Sequence, residues 1–194
     1  ALKCLNKVPS HLEEITIVLA LVGMPGSGKS TVGRQLARKL GVGFVDCDQV
    51  IELRIGGAIK DYFASHGESA FRDLESQVID DMTRTACGVL ATGGGAVLRE
   101  ANRQLLRERT HVIYLRVQPD EIYRRLRHDQ QRPLLQVDDP KQKIMQLFEE
   151  RDPHYQAAAH FVIETSRPRI PTMVNMIVTQ LELAGLLPNE TTAT

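Results

Sequence analysis

The stretch ITIVLALVGMPGSGKSTVGRQLARKL, residues 15–40, leaves few folds open. Its first eight residues are apolar but for Thr16 and rich in β-branched side chains, the pattern of a strand buried on both faces. Its end carries Val32, Leu36, Ala37 and Leu40 as one helical stripe, and Gly41 follows as a stop. Between them, GMPGSGKST has the form G-x-x-x-x-G-K-[ST]. Glycines let such a turn wind so that successive N–H groups converge on phosphate oxygens at the positive end of a helix. Gly26, Ser27, Gly28, Lys29, Ser30 and Thr31 are therefore candidate triphosphate contacts. Lys29 is expected to reach the outer phosphates, the Ser30 hydroxyl to ligate Mg²⁺, and Thr31 to add a hydroxyl near the inner phosphate.

The rest of the chain repeats the alternation. VGFVD, GVLAT, HVIYLRV and HFVIET read as four more strands, with helical patterns at 69–85, 100–108, 119–126, 141–159 and 171–183. Strand and helix in turn imply parallel strands joined by right-handed crossovers. At 194 residues and 42% hydrophobic content, one domain can bury a full core. The 24 Lys+Arg balance 24 Asp+Glu, which offers no long-range pull toward nucleic acid or an anionic membrane. No apolar run reaches the ~20 residues that span a bilayer. Three cysteines without C-x-x-C spacing suggest reduced thiols and a cytoplasmic setting. Residues 1–14 are read as a charged N-terminal extension without an apolar leader core, 15–184 as one domain, and 185–194 as a tail. A monomer is expected, because no heptad seam is visible.

The triphosphate loop does not say what the phosphate is for. An N-K-x-D base-reading motif is missing, since Asn6-Lys7 precedes the first strand. The third strand ends VLATGGG, with Thr92 where an ATPase motor would carry an acid. The second strand supplies carboxylates instead. Asp46 and Asp48, two apart in FVDCDQVIE, should face one side of an extended chain at the carboxyl end of the sheet, where such folds bind ligands. One acid can hold the water shell of a Mg²⁺ ion, and the other can accept a hydrogen bond from an attacking hydroxyl. The plainer alternative makes Asp48 the N-cap of the helix that follows. Cys47, pointing the other way, belongs in the core. The run Gly93, Gly94, Gly95 raises its own question, because each glycine costs about 0.5–1 kcal/mol relative to alanine in a regular element.

GESAFRDLE places Arg72 three residues before Glu75 on one helical face, where the carboxylate can hold the guanidinium. RPLL puts Arg132 on a polar loop, and ERDPHY puts Arg151 within a helical pattern. Taken with GMPGSGKST, FVDCDQVIE and ATGGGAV, in this order and spacing, the set resembles the shikimate kinase family from about residue 15 to 183. The resemblance implies a three-layer α/β/α fold, with a five-stranded parallel sheet, a substrate-binding helical segment at about 47–75 and a lid at about 127–140. It implies ATP-dependent phosphorylation of the 3-hydroxyl of shikimate, with Mg²⁺. By position, Asp48 would meet the reacting hydroxyl, and Arg72 and Arg151 would clamp the substrate carboxylate. Gly93, Gly94 and Gly95 would lie along the ring, where a Cβ at Gly94 or Gly95 would hold it away. Lys29 and Arg132 would cover the migrating phosphoryl group, Ser30 and Asp46 would organise Mg²⁺, Asp46 through water, and Arg125 and Arg167 would lie near adenine. Two other readings remain open: a gluconate-type kinase of the same architecture, and a nucleotide sensor without turnover. A glycine run needed only for positive φ is the rival account of residues 93–95.

Overall fold

The computed structural model describes residues 17–127, 137–164 and 169–188. The extension at 1–14, Arg132 with most of the expected lid, Arg167 and the end of the tail lie outside the described residues. Five strands, β1 (Val18–Val22), β2 (Phe44–Asp46), β3 (Gly88–Ala91), β4 (His111–Arg116) and β5 (Phe161–Glu164), form one sheet in the order β2-β3-β1-β4-β5. Every pairing is parallel. After β1 the chain crosses to one side of the sheet, and after β3 it crosses to the other. The carboxyl end of β1 is thus a switch point, where open α/β sheets leave a crevice.

Side-chain alternation along the strands divides the core. Ala20, Val22, Leu90, Val112 and Tyr114 pack on one face against α3 (Ile59–Thr85), α4 (Glu100–Arg109), α5 (Pro119–Leu126) and α6 (Pro140–Ala158). Leu19, Leu21, Val89, Ile113, Leu115 and Ile163 pack on the other, against α1 (Lys29–Leu40) and α7 (Ile170–Leu183). Each fully buried aliphatic side chain contributes about 1.5–3 kcal/mol. A smaller apolar cluster of Cys47, Ile51, Phe71 and Val78 sits between α2 (Cys47–Ile55) and α3. Cys47 is 2% exposed, and burial pushes its thiol up to about 12, with Asp48 and Asp46 adding to the shift; it is a packing residue.

Three elements depart from the sequence reading. The helix expected at 69–85 begins ten residues earlier, at Ile59, and carries a break at Gly67, where φ is 81° and ψ 173°. Ala58 at its start has no capping side chain, and the first N–H, of Ile59, goes instead to Glu52 Oε1 of α2 at 3.3 Å, a partner that no local start signal marks. Ile59 and Tyr62 instead join the α2–α3 cluster, and that packing holds the first half helical. The second departure concerns the acids. β2 ends at Asp46, and the helix begins at once, so Asp48 lies in the first turn of α2 rather than on an extended chain. Asp46, not Asp48, is the N-cap, accepting from the Asp48 N–H at 3.1 Å. Pro140, taken as the last lid residue, opens α6, which Asp139 caps through the Gln142 N–H at 2.9 Å.

Candidate active site

The loop between β1 and α1 is wound as its glycines suggest. Gly26 and Gly28 take φ values of 83° and 96°, a region L side chains avoid. Gly28 ends the loop as the N-cap of α1, so the amino end of that helix opens at the loop. A Cβ on Gly26 would also strike Leu126 of α5, at 2.8–3.0 Å from three of its carbons. Lys29 is 8% exposed and lies back along the loop, its Nζ donating to the Gly23 carbonyl at 2.8 Å and the Met24 carbonyl at 3.0 Å. Arg125 donates to the Ser27 carbonyl at 3.3 Å and is held by Glu121 on its own helix. Thr31 stands exposed on the first turn of α1.

Beside the loop, the Ser30 hydroxyl donates to Asp46 Oδ2 at 2.6 Å, and Asp46 Oδ1 takes the Asp48 N–H. One carboxylate thus joins the strand, the loop and the new helix. The two acids converge because of this cap, not because of strand alternation. Thr92 uses its hydroxyl structurally, donating to the Leu21 carbonyl at 3.0 Å. Burial lifts the Asp48 carboxyl above the ordinary carboxylate range; Lys29 opposes the lift, Asp46 and Glu52 add to it, and Arg72 opposes it again.

The three glycines form the wall facing this corner, and none of them has a φ in the left-handed region. Positive φ is therefore not their reason. Close approach is, but the neighbours are the protein's own side chains. A Cβ on Gly93 would sit 2.6 Å from Glu75 Oε1 and 2.9 Å from Asp48 Oδ1. On Gly94 it would sit 2.7 Å from the Pro25 ring and 3.1 Å from its backbone nitrogen, and on Gly95 it would run into the Arg72 guanidinium. A Cβ at Gly94 or Gly95 would thus meet Pro25 or Arg72, apart from any ligand ring.

Arg72 is fixed by Glu75 at 2.8 Å and reached by Glu68 at 3.3 Å, as the helical spacing implies. Arg151 donates to the Gly94 carbonyl at 3.2 Å, and the Tyr155 hydroxyl donates to the same oxygen. The two arginines come from α3 and α6 and meet the wall at adjacent glycines. Both also act electrostatically on Glu75 and on Tyr155. The Nε of Arg72 and the Nε of Arg151 are buried, and neither has a hydrogen-bond partner among the described residues.

Two residues of this corner were not assigned from sequence. Glu75 was read only as a brace for Arg72, yet it is 1% exposed and reaches Gly93 beside Asp48. Burial pushes its carboxyl up, and the Arg72 charge and hydrogen bond oppose that shift. Tyr155 follows Arg151 by four residues, which places both on one helical face; that spacing could have found it. Burial pushes its phenol up to about 12, so it stays a donor at neutral pH.

The shikimate kinase family model matches residues 25–182. A shikimate kinase of Paracidovorax citrulli is 56% identical over 171 residues, covering 87% of this chain and 93% of that relative. One from Burkholderia thailandensis is 53% identical, covering 86% and 90%. Among solved structures, the Acinetobacter baumannii shikimate kinase in complex with shikimate aligns at a TM-score of 0.81 and 41% identity, over 87% of this chain and 94% of that one. A gluconokinase of Sinorhizobium meliloti aligns at 0.56 and 16% identity over 89% and 95%, a likeness of fold alone. With a phosphate loop, a capped acid pair and two arginines meeting one glycine wall, the chain belongs to the shikimate kinase family.

Proposed function

We propose that this protein transfers the γ-phosphoryl group of ATP to the 3-hydroxyl of shikimate, giving shikimate 3-phosphate and ADP. The observation that carries the reading is the pair of buried, unpartnered Nε–H groups on Arg72 and Arg151 beside the phosphate loop. A carboxylate placed between them can take planar, charge-assisted bonds that lysine cannot imitate. The acceptor ring then lies along Gly93–Gly95, with its reacting hydroxyl turned to Asp48. Asp48 accepts from that hydroxyl and aligns it with the phosphoryl group. Lys29 leaves the loop carbonyls for the β- and γ-phosphate oxygens, and the N–H groups of residues 26–31 hold the rest of the triphosphate. Arg125, braced by Glu121, would pack on the adenine.

Mg²⁺ fits the donor set. Ser30 and Asp46 offer hard oxygens, and no group of three or more His, Cys, Asp or Glu side chains that could hold a metal exists among the described residues. An ion that keeps most of its water and leans on phosphate suits such a site better than a fully caged one. When bound, it would neutralise charge on the phosphates. Asp46, whose oxygens hold the Ser30 hydroxyl and the Asp48 N–H, would meet it through water, as in the family it resembles. Arg132, expected over the phosphoryl group, and Arg167, expected near the base, lie outside the described residues. The same reading takes residues 15–184 as one kinase domain, with 47–75 as its acceptor segment, acting as a monomer in the cytoplasm. No helix among the described residues is long and apolar enough to cross a membrane.

A coupled assay of ADP release tests the proposal. Release that depends on shikimate and is not replaced by gluconate is the expected result. Release with gluconate alone would favour the second kinase reading, and no acceptor-dependent release would favour a sensor.

A further inference from the structure

We infer that Asp152 is a positioning residue for the acceptor site, holding Arg151 and Tyr155 against Gly94 by strapping α6 to the carboxyl end of β4. The inference rests on the acceptor reading of Arg151 given above. Asp152 lies between the two site residues in sequence, and its carboxylate accepts four hydrogen bonds. Oδ1 takes the Tyr114 hydroxyl at 2.7 Å and Arg116 Nε at 2.9 Å. Oδ2 takes Arg116 Nη2 at 3.1 Å and Gln156 Nε2 at 2.7 Å. Three of the four donors belong to β4, a strand paired on both sides.

The donors are themselves fixed. Tyr114 is fully buried, and its ring stacks on that of Tyr155 with centroids 5.0 Å apart. Arg116 is paired with Glu164 of β5 at 2.7 Å and lies over the Phe148 ring of α6 at 5.4 Å. Burial pushes the Asp152 carboxyl up, but the bonds from Arg116 and Tyr114 outweigh it, so the group sits below the usual range and is ionised at neutral pH.

The helix needs an anchor at this turn. Pro153 has no N–H, so the carbonyl of Glu149 loses its helical partner one turn before it, in the stretch that carries Arg151. A guanidinium meets a carboxylate squarely only when its backbone is held to within a fraction of an ångström. Asp152 supplies that hold from the sheet, and the acceptor site gains a fixed Arg151.

Steady-state kinetics on the whole chain tests this. Asp152→Asn should raise the KM for shikimate about tenfold, the effect of losing one charged hydrogen bond, and leave the KM for ATP within about twofold. Tyr114→Phe should move the shikimate KM in the same direction by less, and it carries the comparison if Asp152→Asn fails to fold. In an Arg151→Lys background, Asp152→Asn should add less than it does alone, because part of its effect runs through Arg151. An unchanged shikimate KM, equal rises in both KM values, or a full added effect in the Arg151→Lys background would each overturn the inference. An Arg151→Lys change that alone leaves the shikimate KM untouched would instead remove the acceptor reading beneath it.

Discussion

The two ends of this site are built in opposite ways. The proposed phosphate end comes from one contiguous turn, wound by its glycines and opening at the amino end of α1, with a single lysine lying along it. The proposed acceptor end is assembled from α2, α3, the glycine run and α6, and it consists of side chains pressed onto bare main chain. A contiguous cradle forms whenever its strand and helix form. An assembled wall forms only when four elements arrive together, so it is both more specific and more fragile.

The sharpest test of this contrast pairs one change at each end. Lys29→Met should lower kcat by about 10²–10³-fold, as expected for losing a donor aimed at transition-state charge. Arg72→Lys should leave kcat closer to normal and raise the shikimate KM about 10- to 100-fold, since lysine keeps the charge and loses the planar fork. Steady-state kinetics with each substrate varied would check both, and a rise in the ATP KM for Arg72→Lys would break the separation.

A subtler pair probes the seam between the ends. Gly95→Ala pushes first on the Arg72 guanidinium, so it should raise the shikimate KM about tenfold with ATP binding intact. Gly94→Ala pushes on Pro25, including its backbone nitrogen, and should weaken ATP as well. Both proteins should fold, because neither position needs positive φ. Nucleotide titration with thermal melting separates the two, and identical profiles would deny the distinction.

The smallest effect concerns protons. Burial raises the Asp48 carboxyl in the ligand-free protein, so Asp48 gains its proton at a higher pH than a free aspartate does on acidification. The acid limb of kcat/KM with shikimate should therefore lie above the ordinary value of about 4, and a limb at that value would contradict the assignment.

The sequence made the phosphate end legible because its determinants are consecutive and their spacing is fixed by backbone geometry. The sheet was legible for a similar reason, since five apolar runs separated by helical patterns allow little but parallel crossovers. The acid pair was found for a mistaken reason. Alternation predicted convergence, whereas a helix starting at residue 47 produced it through the Asp46 cap. The early start of α3 has no local signal, because packing against α2 and the Glu52 carboxylate, rather than a capping residue at Ala58, hold that half. Glu75 was visible as a spacing but not as a buried group, and the strap at Asp152 joins residues 38 and 36 positions apart, beyond the reach of any local pattern.

The glycine wall has a consequence for how such a protein can change. Because Pro25, Arg72, Glu75 and Asp48 fill the space that a Cβ would need, the wall and its fillers form one block of mutually dependent choices. A mutational library that varies one position at a time will meet a penalty at every member. A library that varies a glycine together with its filler can find substitutes, and those paired solutions are where altered acceptor preference would have to begin.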